Sequence, residues 1–164
     1  MNTGFAIHDL PAGGGVIGLC PLPGRHTEYA RDLESLLAWR PDLVLSMTTL
    51  PEMTGHGAGH LGEDLARHGI GWRHLPIVDF GAPGAGVASK WPAVSVLAGG
   101  ILASGGRVLV HCYGGCGRSG MAVLRLMVEA GEDGRAALTR LRAARACAVE
   151  TEAQMAWALA PAKT

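Results

Sequence analysis

Residues 107–128 constrain the fold most, because they have the pattern of a strand, a glycine-rich turn and a helix in direct succession. The apolar run 108–110 shows no polar alternation, which is typical of a central strand in a parallel sheet. Glycines fill the turn, and apolar residues then recur at helical spacing over residues 121–128. We therefore predict a central strand at 107–111 whose carboxyl end opens into a loop at a helix N-terminus.

The remainder of the chain alternates between strand and helix patterns. The predicted strands are 5–7, 16–19, 43–45 and 70–76, and the predicted helices are 27–39, 61–68, 91–103, 119–130, 135–144 and 151–159. This alternation predicts an α/β fold with a mainly parallel central sheet flanked by helices on both faces, and a glycine turn predicts an edge hairpin at the start. A length of 164 residues favours a single domain spanning 1–164, with its core at 16–160.

The turn after the central strand has the composition of an anion-binding loop. Its glycines, which let successive N–H groups face one point, are Gly114, Gly115 and Gly117. The positive end of the next helix faces the same point, so the thiolate of Cys112 is favoured there over the thiol. Arg118 offers a planar fork for two phosphoryl oxygens. We predict that Cys112 is a nucleophile and that phosphate is bound by Tyr113, Gly114, Gly115, Cys116, Gly117 and Arg118.

Two polar residues flank this cysteine. Ser119 is placed either to hydrogen-bond the Cys112 sulfur, which would help the thiolate leave a phosphocysteine intermediate, or to cap the helix, and both roles can coexist. His111 ends the strand, so we expect a buried imidazole that orders the turn through hydrogen bonds rather than one that shuttles protons.

A second candidate catalytic group follows another predicted strand. Asp79 opens a loop that contains glycine and proline, and parallel strands bring their carboxyl ends to one edge of the sheet. Asp79 is therefore predicted to share an edge with Cys112 and to act as general acid, then as base toward water. The alternative interpretation is that Asp79 caps a turn. Near the C-terminus, Thr151 and Gln154 have the spacing of a capping box, and Gln154 is a further candidate for positioning the hydrolytic water.

Charge and cysteine content limit the function classes. The formal net charge is zero, so the chain lacks the basic surface expected for nucleic acid or an anionic membrane. The four cysteines are too few and too scattered to predict a disulfide scaffold, and no secretory leader is apparent, which favours a cytoplasmic location. We see no apolar run that approaches the roughly 18 residues of a membrane span.

The motif His-Cys-x5-Arg-Ser, formed by His111, Cys112, Arg118 and Ser119, resembles the active-site signature of the cysteine-dependent protein tyrosine phosphatases. Within that superfamily the chain is most similar to the dual-specificity branch and to its kinase-associated phosphatases, over residues 17–156. Further matching stretches are 18–24, 76–79 with Pro83, 111–115, and Glu150-Thr151 with Gln154.

The resemblance implies a three-layer sandwich, Cys112 as nucleophile, Arg118 as phosphate ligand and Asp79 as acid, with no metal or cofactor. It implies a phosphoprotein or phosphopeptide substrate containing phosphotyrosine and, with dual specificity, phosphoserine or phosphothreonine. No kinase-docking surface is recognisable in the sequence. Cys116 departs from the family pattern, and we expect it to be a packed spectator, the alternative being a reversible disulfide with Cys112.

Two other functions fit part of the pattern. A rhodanese-like sulfurtransferase also presents a cysteine in a cradle loop, but it would not need Asp79 or the Arg118-Ser119 pair. A non-catalytic phosphoprotein-binding module would use the same loop without turnover. All the catalytic residue types are present, so we favour phosphomonoester hydrolysis.

Overall fold

A computed structural model describes residues 4–160 of the chain. Its strands are β1 (His8–Ala12), β2 (Gly15–Cys20), β3 (Leu43–Ser46), β4 (Gly71–His74) and β5 (Arg107–His111). They form one sheet in the order β1-β2-β5-β3-β4, in which every pairing except β1 with β2 is parallel. The predicted mainly parallel sheet with β5 at its centre is confirmed.

Helices cover both faces of this sheet. They are α1 (Tyr29–Trp39), α2 (Leu50–Thr54), α3 (Leu61–Arg67), α4 (Ala85–Ala103), α5 (Gly117–Glu129), α6 (Gly134–Ala144) and α7 (Glu152–Leu159). Because strand side chains alternate between faces, Val108 and Val110 join the core under α4 and α5, whereas Leu109 joins the core under α1 and α3. The predicted three-layer arrangement is therefore confirmed.

The first strand differs from its prediction. It lies at His8–Ala12 rather than at residues 5–7, so that prediction is wrong. Its position is determined by antiparallel pairing with β2 across the Gly13-Gly14 turn, where both glycines have positive φ. Pro11 interrupts the strand pattern in the sequence, yet it is tolerated because β1 is an edge strand.

Two helices also differ from their predictions. α2 was not predicted, because five residues are too short to show a helical period. α4 begins at Ala85 rather than at residue 91, and Pro92 lies inside it although proline is most common in a first helical turn. The segment before Trp91 consists largely of small residues, so it carries little apolar periodicity.

By length and composition alone, α4 could cross a membrane, with 19 residues and a mean hydropathy of 1.3 over 18 of them, although Ser89 and Lys90 interrupt its apolar run. In the fold, however, α4 buries one stripe against β2, β5 and α5. The stripe consists of Val87, Trp91, Val94, Ala98 and Leu102. This spacing is that of a helix with one core-facing side.

Candidate active site

Cys112 follows the central strand directly and is buried, with 2% of its surface exposed. The Ser119 hydroxyl lies 3.1 Å from the Cys112 sulfur, so the contact expected from the sequence is present. Ser119 makes no capping hydrogen bond, because the N-cap position of α5 is Cys116. The hydroxyl is thus placed to stabilise a thiolate by hydrogen bonding.

The loop carbonyls of residues 113–116 all accept hydrogen bonds from neighbouring groups. The donors are Leu22 N (3.1 Å) and Arg25 Nη1 (3.3 Å) to Tyr113, Arg145 Nη2 (3.0 Å) to Gly114, Arg145 Nε (3.2 Å) to Gly115, and Val149 N (3.2 Å) and Gly120 N (2.9 Å) to Cys116. No peptide bond in residues 4–160 is cis. In a trans peptide the carbonyl and the following N–H point in opposite directions. The N–H groups of residues 114–117 therefore face away from these donors.

Those four N–H groups donate to no acceptor within the described part of the chain. A run of unpaired N–H groups at the start of a helix is an anion-binding arrangement. Gly115 adopts φ +73°, and a Cβ there would lie 2.7 Å from the backbone of Cys20, so this turn requires glycine.

Arg118 is fully buried and connects three parts of the site. Its guanidinium forms two hydrogen bonds of 2.8 Å to Glu52 and one of 2.7 Å to the Ile77 carbonyl, and its Nη2 lies 3.1 Å from Asp79 Oδ1. Burial by itself would raise the pKa of Glu52, but the hydrogen bonds from Arg118 and Thr49 outweigh it and hold that pKa at about 2. Glu52 is therefore ionised at neutral pH and keeps Arg118 oriented.

Asp79 lies at the same edge of the sheet as Cys112, as predicted. Its carboxyl group contacts Arg118, which follows Cys112 at the start of α5. The Asp79 side chain is 48% exposed, and its Oδ1 also accepts a 3.0 Å hydrogen bond from the Phe80 N–H. The carboxyl group thus stands at the mouth of the site, while Arg118 forms the buried wall. These contacts show the position of Asp79 and leave its catalytic role a prediction.

His111 is buried beneath the loop and is neutral, because burial lowers its pKa to about 4. Its Nδ1 lies 3.3 Å from the Cys112 carbonyl, which can only accept, so the single ring proton is on Nδ1. His111 Nε2 then accepts from the Ser46 hydroxyl (2.6 Å), which itself accepts from the Trp72 indole (2.8 Å). This arrangement anchors the backbone of Cys112, as expected of an imidazole that orders the turn.

Gln154 is buried and forms the predicted capping box with Thr151 at the start of α7. Its Oε1 accepts from the N–H groups of Glu150 and Thr151, and its Nε2 donates to the Gly81 carbonyl at 3.1 Å. The side chain therefore joins α7 to the loop that carries Asp79.

Cys116 is bonded to Cys147, which contradicts both sequence expectations for it. It is neither a packed spectator nor a partner of Cys112, because Cys112 and Cys20 are the free cysteines of the described residues. The prediction failed because Cys147 lies 31 residues further along the chain, in a loop that only the packing of α5 against α6 brings to the site. Disulfides are rare in the reducing cytoplasm, so with this pair the cysteines no longer favour a cytoplasmic location.

The opposite side of the phosphate loop is supported by the segment after β2. The Arg25 guanidinium stacks on the Tyr113 ring at 4.1 Å, and the His56 ring contacts the same tyrosine with 5.4 Å between centroids. Buried Asp32 orders this segment by accepting from the Gly24 N–H and the Thr27 hydroxyl. The helix predicted over residues 27–39 begins two residues later, at Tyr29, and has no side-chain cap at its start.

Within residues 4–160, no three His, Cys, Asp or Glu side chains are grouped closely enough to hold a metal ion. Two carboxylates at the site, those of Glu52 and Asp79, are paired with Arg118, and the Glu150 carboxylate lies against Gly117 of the phosphate loop. The groups available for chemistry are therefore a thiol, a guanidinium, carboxyl groups and a set of backbone amides.

A family model described as cyclin-dependent kinase inhibitor 3 matches residues 12–134. The chain belongs to this family. Curated relatives include the mouse cyclin-dependent kinase inhibitor 3, 34% identical over 116 residues, and the rat protein, 32% identical over 117 residues. Each match covers 68% of this chain and 54% of the relative, so the chain spans about half the length of these relatives.

Solved structures of phosphatases have the same fold as this family member. A kinase associated phosphatase with its catalytic-site cysteine substituted by serine aligns with a TM-score of 0.81 and 24% identity, covering 96% of this chain and 94% of that one. Tk-PTP in its active form aligns with a TM-score of 0.69 and 25% identity, covering 94% and 93%. The predicted dual-specificity-phosphatase fold is confirmed.

Two residues at the site, Glu52 and Arg145, were not predicted from the sequence. Glu52 lies 66 positions from Arg118, and its only local signal is the Thr49-Glu52 capping-box spacing, which indicates a helix start but not an ion pair. Arg145 follows α6 and has no local signal that points to the phosphate loop. Both contacts arise from packing between distant elements.

Proposed function

We propose that residues 1–164 form a single phosphatase domain that hydrolyses phosphotyrosine, and also phosphoserine or phosphothreonine, in proteins. One observation carries this proposal: four N–H groups without an acceptor among residues 4–160 follow a buried cysteine whose sulfur contacts Ser119, beside the guanidinium of Arg118. This set of donors is complementary to the three non-bridging oxygens of a phosphoryl group, whose negative charge it would stabilise in the transition state.

In the first step, the Cys112 thiolate attacks phosphorus and the bond to the leaving oxygen breaks. Asp79 donates a proton to that oxygen, so the product leaves as an alcohol or phenol, and phosphocysteine remains. The loop amides and Arg118 hold the phosphoryl oxygens throughout. A bound phosphoryl group competes with Asp79 for Arg118 Nη2, which frees the Asp79 carboxyl group for proton transfer.

In the second step, water attacks the phosphorus of phosphocysteine and Asp79 accepts a proton from that water. The sulfur–phosphorus bond breaks, inorganic phosphate is released, and the returning thiolate is stabilised by the Ser119 hydroxyl. Gln154 holds Gly81 and thereby the loop bearing Asp79. We assign it this positioning role rather than direct contact with the water.

The side chains at loop positions 113 and 116 favour a phosphoprotein over a multiply charged lipid head group. Phosphoinositide phosphatases of the resembled superfamily tend to carry lysines in the loop, whereas Tyr113 is neutral and Cys116 is consumed in a disulfide. The names of the relatives point to cyclin-dependent kinases as partners of those proteins. A phosphorylated kinase is accordingly one candidate substrate.

The test is a panel of phosphotyrosyl, phosphoseryl and phosphothreonyl peptides assayed beside phosphoinositides and an aryl phosphate, with wild type and Cys112→Ser. We expect peptide hydrolysis by wild type, and phosphate binding without turnover by the variant. Thiosulfate sulfurtransferase activity in place of hydrolysis would favour the rhodanese alternative. Phosphopeptide binding by wild type with no turnover would favour the binding-module alternative.

A further inference from the structure

A short segment at residues 145–149, between α6 and α7, contacts the outer side of the phosphate loop; we call it the brace. The Arg145 guanidinium donates to two consecutive loop carbonyls, those of Gly114 and Gly115. The Val149 N–H donates to the Cys116 carbonyl, and Cys147 forms the disulfide with Cys116. Three separate interactions thus connect this brace to one stretch of loop.

The brace is itself firmly held. Val149 has φ +67°, a left-handed conformation that is unfavourable for a β-branched residue and persists only where surrounding contacts enforce it. Arg142 supplies such contacts by donating to the carbonyls of Ala148 and Val149, both at 2.9 Å. On the other side, a Cβ at Gly120 would lie 2.6 Å from the Val149 nitrogen, so α5 and the brace touch backbone to backbone.

The Arg145 guanidinium directs all of its hydrogen bonds within the described residues to the phosphate loop. Its positive charge is therefore applied to two peptide groups from the carbonyl side. A charged donor on a carbonyl polarises the whole peptide, which makes the N–H at the other end a stronger donor. For Gly114 and Gly115, those N–H groups belong to Gly115 and Cys116 and face the site.

We propose that Arg145 is a positioning residue that orients and polarises the peptide groups of the phosphate loop, and that the Cys116–Cys147 disulfide keeps the brace against that loop. The inference deepens the function proposed above and depends on phosphate being bound there. A residue outside the His-Cys-x5-Arg-Ser motif thereby determines how strongly the loop binds an anion.

The test compares Arg145→Gln and Arg145→Lys with the control Arg140→Gln, which removes the same charge from an exposed arginine of α6 that binds Glu132 and Pro11. Three quantities are measured: inhibition by inorganic phosphate, kcat and KM for an aryl phosphate, and the rate of alkylation of Cys112 by iodoacetamide at pH 7. Thermal unfolding confirms that each variant is folded.

We expect Arg145→Gln to weaken inhibition by phosphate about tenfold and to slow alkylation of Cys112, because the loop amides stabilise both anions less well. Arg145→Lys retains the charge but lacks a fork that reaches two carbonyls, so it should recover only a minor part of the loss. Arg140→Gln should remain within about twofold of wild type in all three measurements.

The disulfide is tested with the double variant Cys116→Ser/Cys147→Ser, which keeps the two cysteines that are free in the structure, Cys20 and Cys112. Phosphate inhibition should weaken about threefold to fivefold, less than in Arg145→Gln, because the Arg145 and Val149 hydrogen bonds remain.

Folded Arg145→Gln protein with wild-type phosphate inhibition and wild-type alkylation would overturn the proposal. If that variant does not fold, Arg145→Lys decides, and phosphate inhibition within twofold of wild type would overturn it. A wild-type protein that neither binds phosphate nor hydrolyses any phosphomonoester would instead refute the proposed function, so the two failures are distinguishable.

Discussion

The two sides of the candidate site are built differently. On the phosphate-loop side, Cys112 and Arg118 are buried, each carbonyl of residues 113–116 is hydrogen-bonded, and a disulfide ties the loop to a distant segment. The other side is the loop that carries the proposed acid Asp79, residues 78–81, which we call the acid loop. In it, Val78 is 69% exposed, Asp79 is 48% exposed and Phe80 is 59% exposed. The chain thus fixes the groups that would bind the phosphoryl oxygens and presents to solvent the carboxyl group that, in the proposed mechanism, would reach a variable leaving atom.

This contrast has a physical reason. Stabilising charge in a transition state works best when donors are already oriented, since no energy is then lost in reorienting them. Proton transfer to an alcohol or phenol instead requires contact with a leaving group whose position differs between substrates. Backbone contacts hold the acid loop from behind, through the Gly81 carbonyl to Gln154 and the Phe80 carbonyl to Thr151.

The largest effect is expected at the buried nucleophile. Cys112→Ser should lower kcat by at least about 10⁴-fold, because a hydroxyl in this position is far less ionised than the thiol. Inhibition or binding by inorganic phosphate should persist, since the loop amides and Arg118 remain. Substantial turnover by Cys112→Ser would show that the phosphate-loop side does not supply the nucleophile.

The second-largest effect is expected at the buried guanidinium of Arg118. Arg118→Lys should reduce kcat by about 10²- to 10³-fold, because a single ammonium cannot hold two phosphoryl oxygens and Glu52 together. The matched control is Arg125→Lys, in which the altered arginine binds Glu129 and the Trp157 carbonyl away from the site. Near-normal turnover of Arg118→Lys would contradict a bidentate role in the transition state.

A smaller and substrate-dependent effect is expected on the exposed side. Asp79→Asn should slow hydrolysis about 10²-fold for alkyl phosphates such as phosphoserine peptides, whose leaving groups need a proton. The loss should be several times smaller for an activated aryl phosphate, which leaves readily as an anion. Steady-state kinetics on both substrates measures the two losses of rate, and equal losses would show that Asp79 is not the acid.

The smallest effect concerns stability beneath the loop. Burial lowers the pKa of His111 to about 4 from an unfolded value of 6.5, so between these values the unfolded chain binds more protons and stability rises with pH. This group's contribution is present above pH 6.5 and is lost as the pH falls toward 4. From pH 7 to pH 5 it should amount to about 2 kcal/mol of unfolding free energy.

Urea unfolding at the two pH values measures this difference, with His111→Asn as the comparison. The variant removes the titrating ring, so its stability should fall by about 2 kcal/mol less than that of wild type over the same pH interval. The same pH dependence in both proteins would mean that His111 is not held neutral under the loop.

Local patterns account for what could be predicted. The run of residues 108–110 is apolar without alternation, as is typical of a strand buried on both faces, and β5 is found at Arg107–His111. The turn, Arg118 and Ser119 follow within eight positions of the strand, so their proximity to Cys112 depends on local geometry alone. Asp79 required one further rule, that the carboxyl ends of parallel strands meet at one edge.

Local sequence patterns predict the fold class, the candidate nucleophile and the loop around it, because each depends on residues that are close in the chain. Three features are seen only in the folded chain: Glu52 orients Arg118, Cys116 pairs with Cys147, and Arg145 binds the loop carbonyls. These contacts join residues that are 66, 31 and 31 positions apart. Hydrophobic packing of the intervening helices brings such residues together, and that packing leaves no mark in the local sequence around either partner.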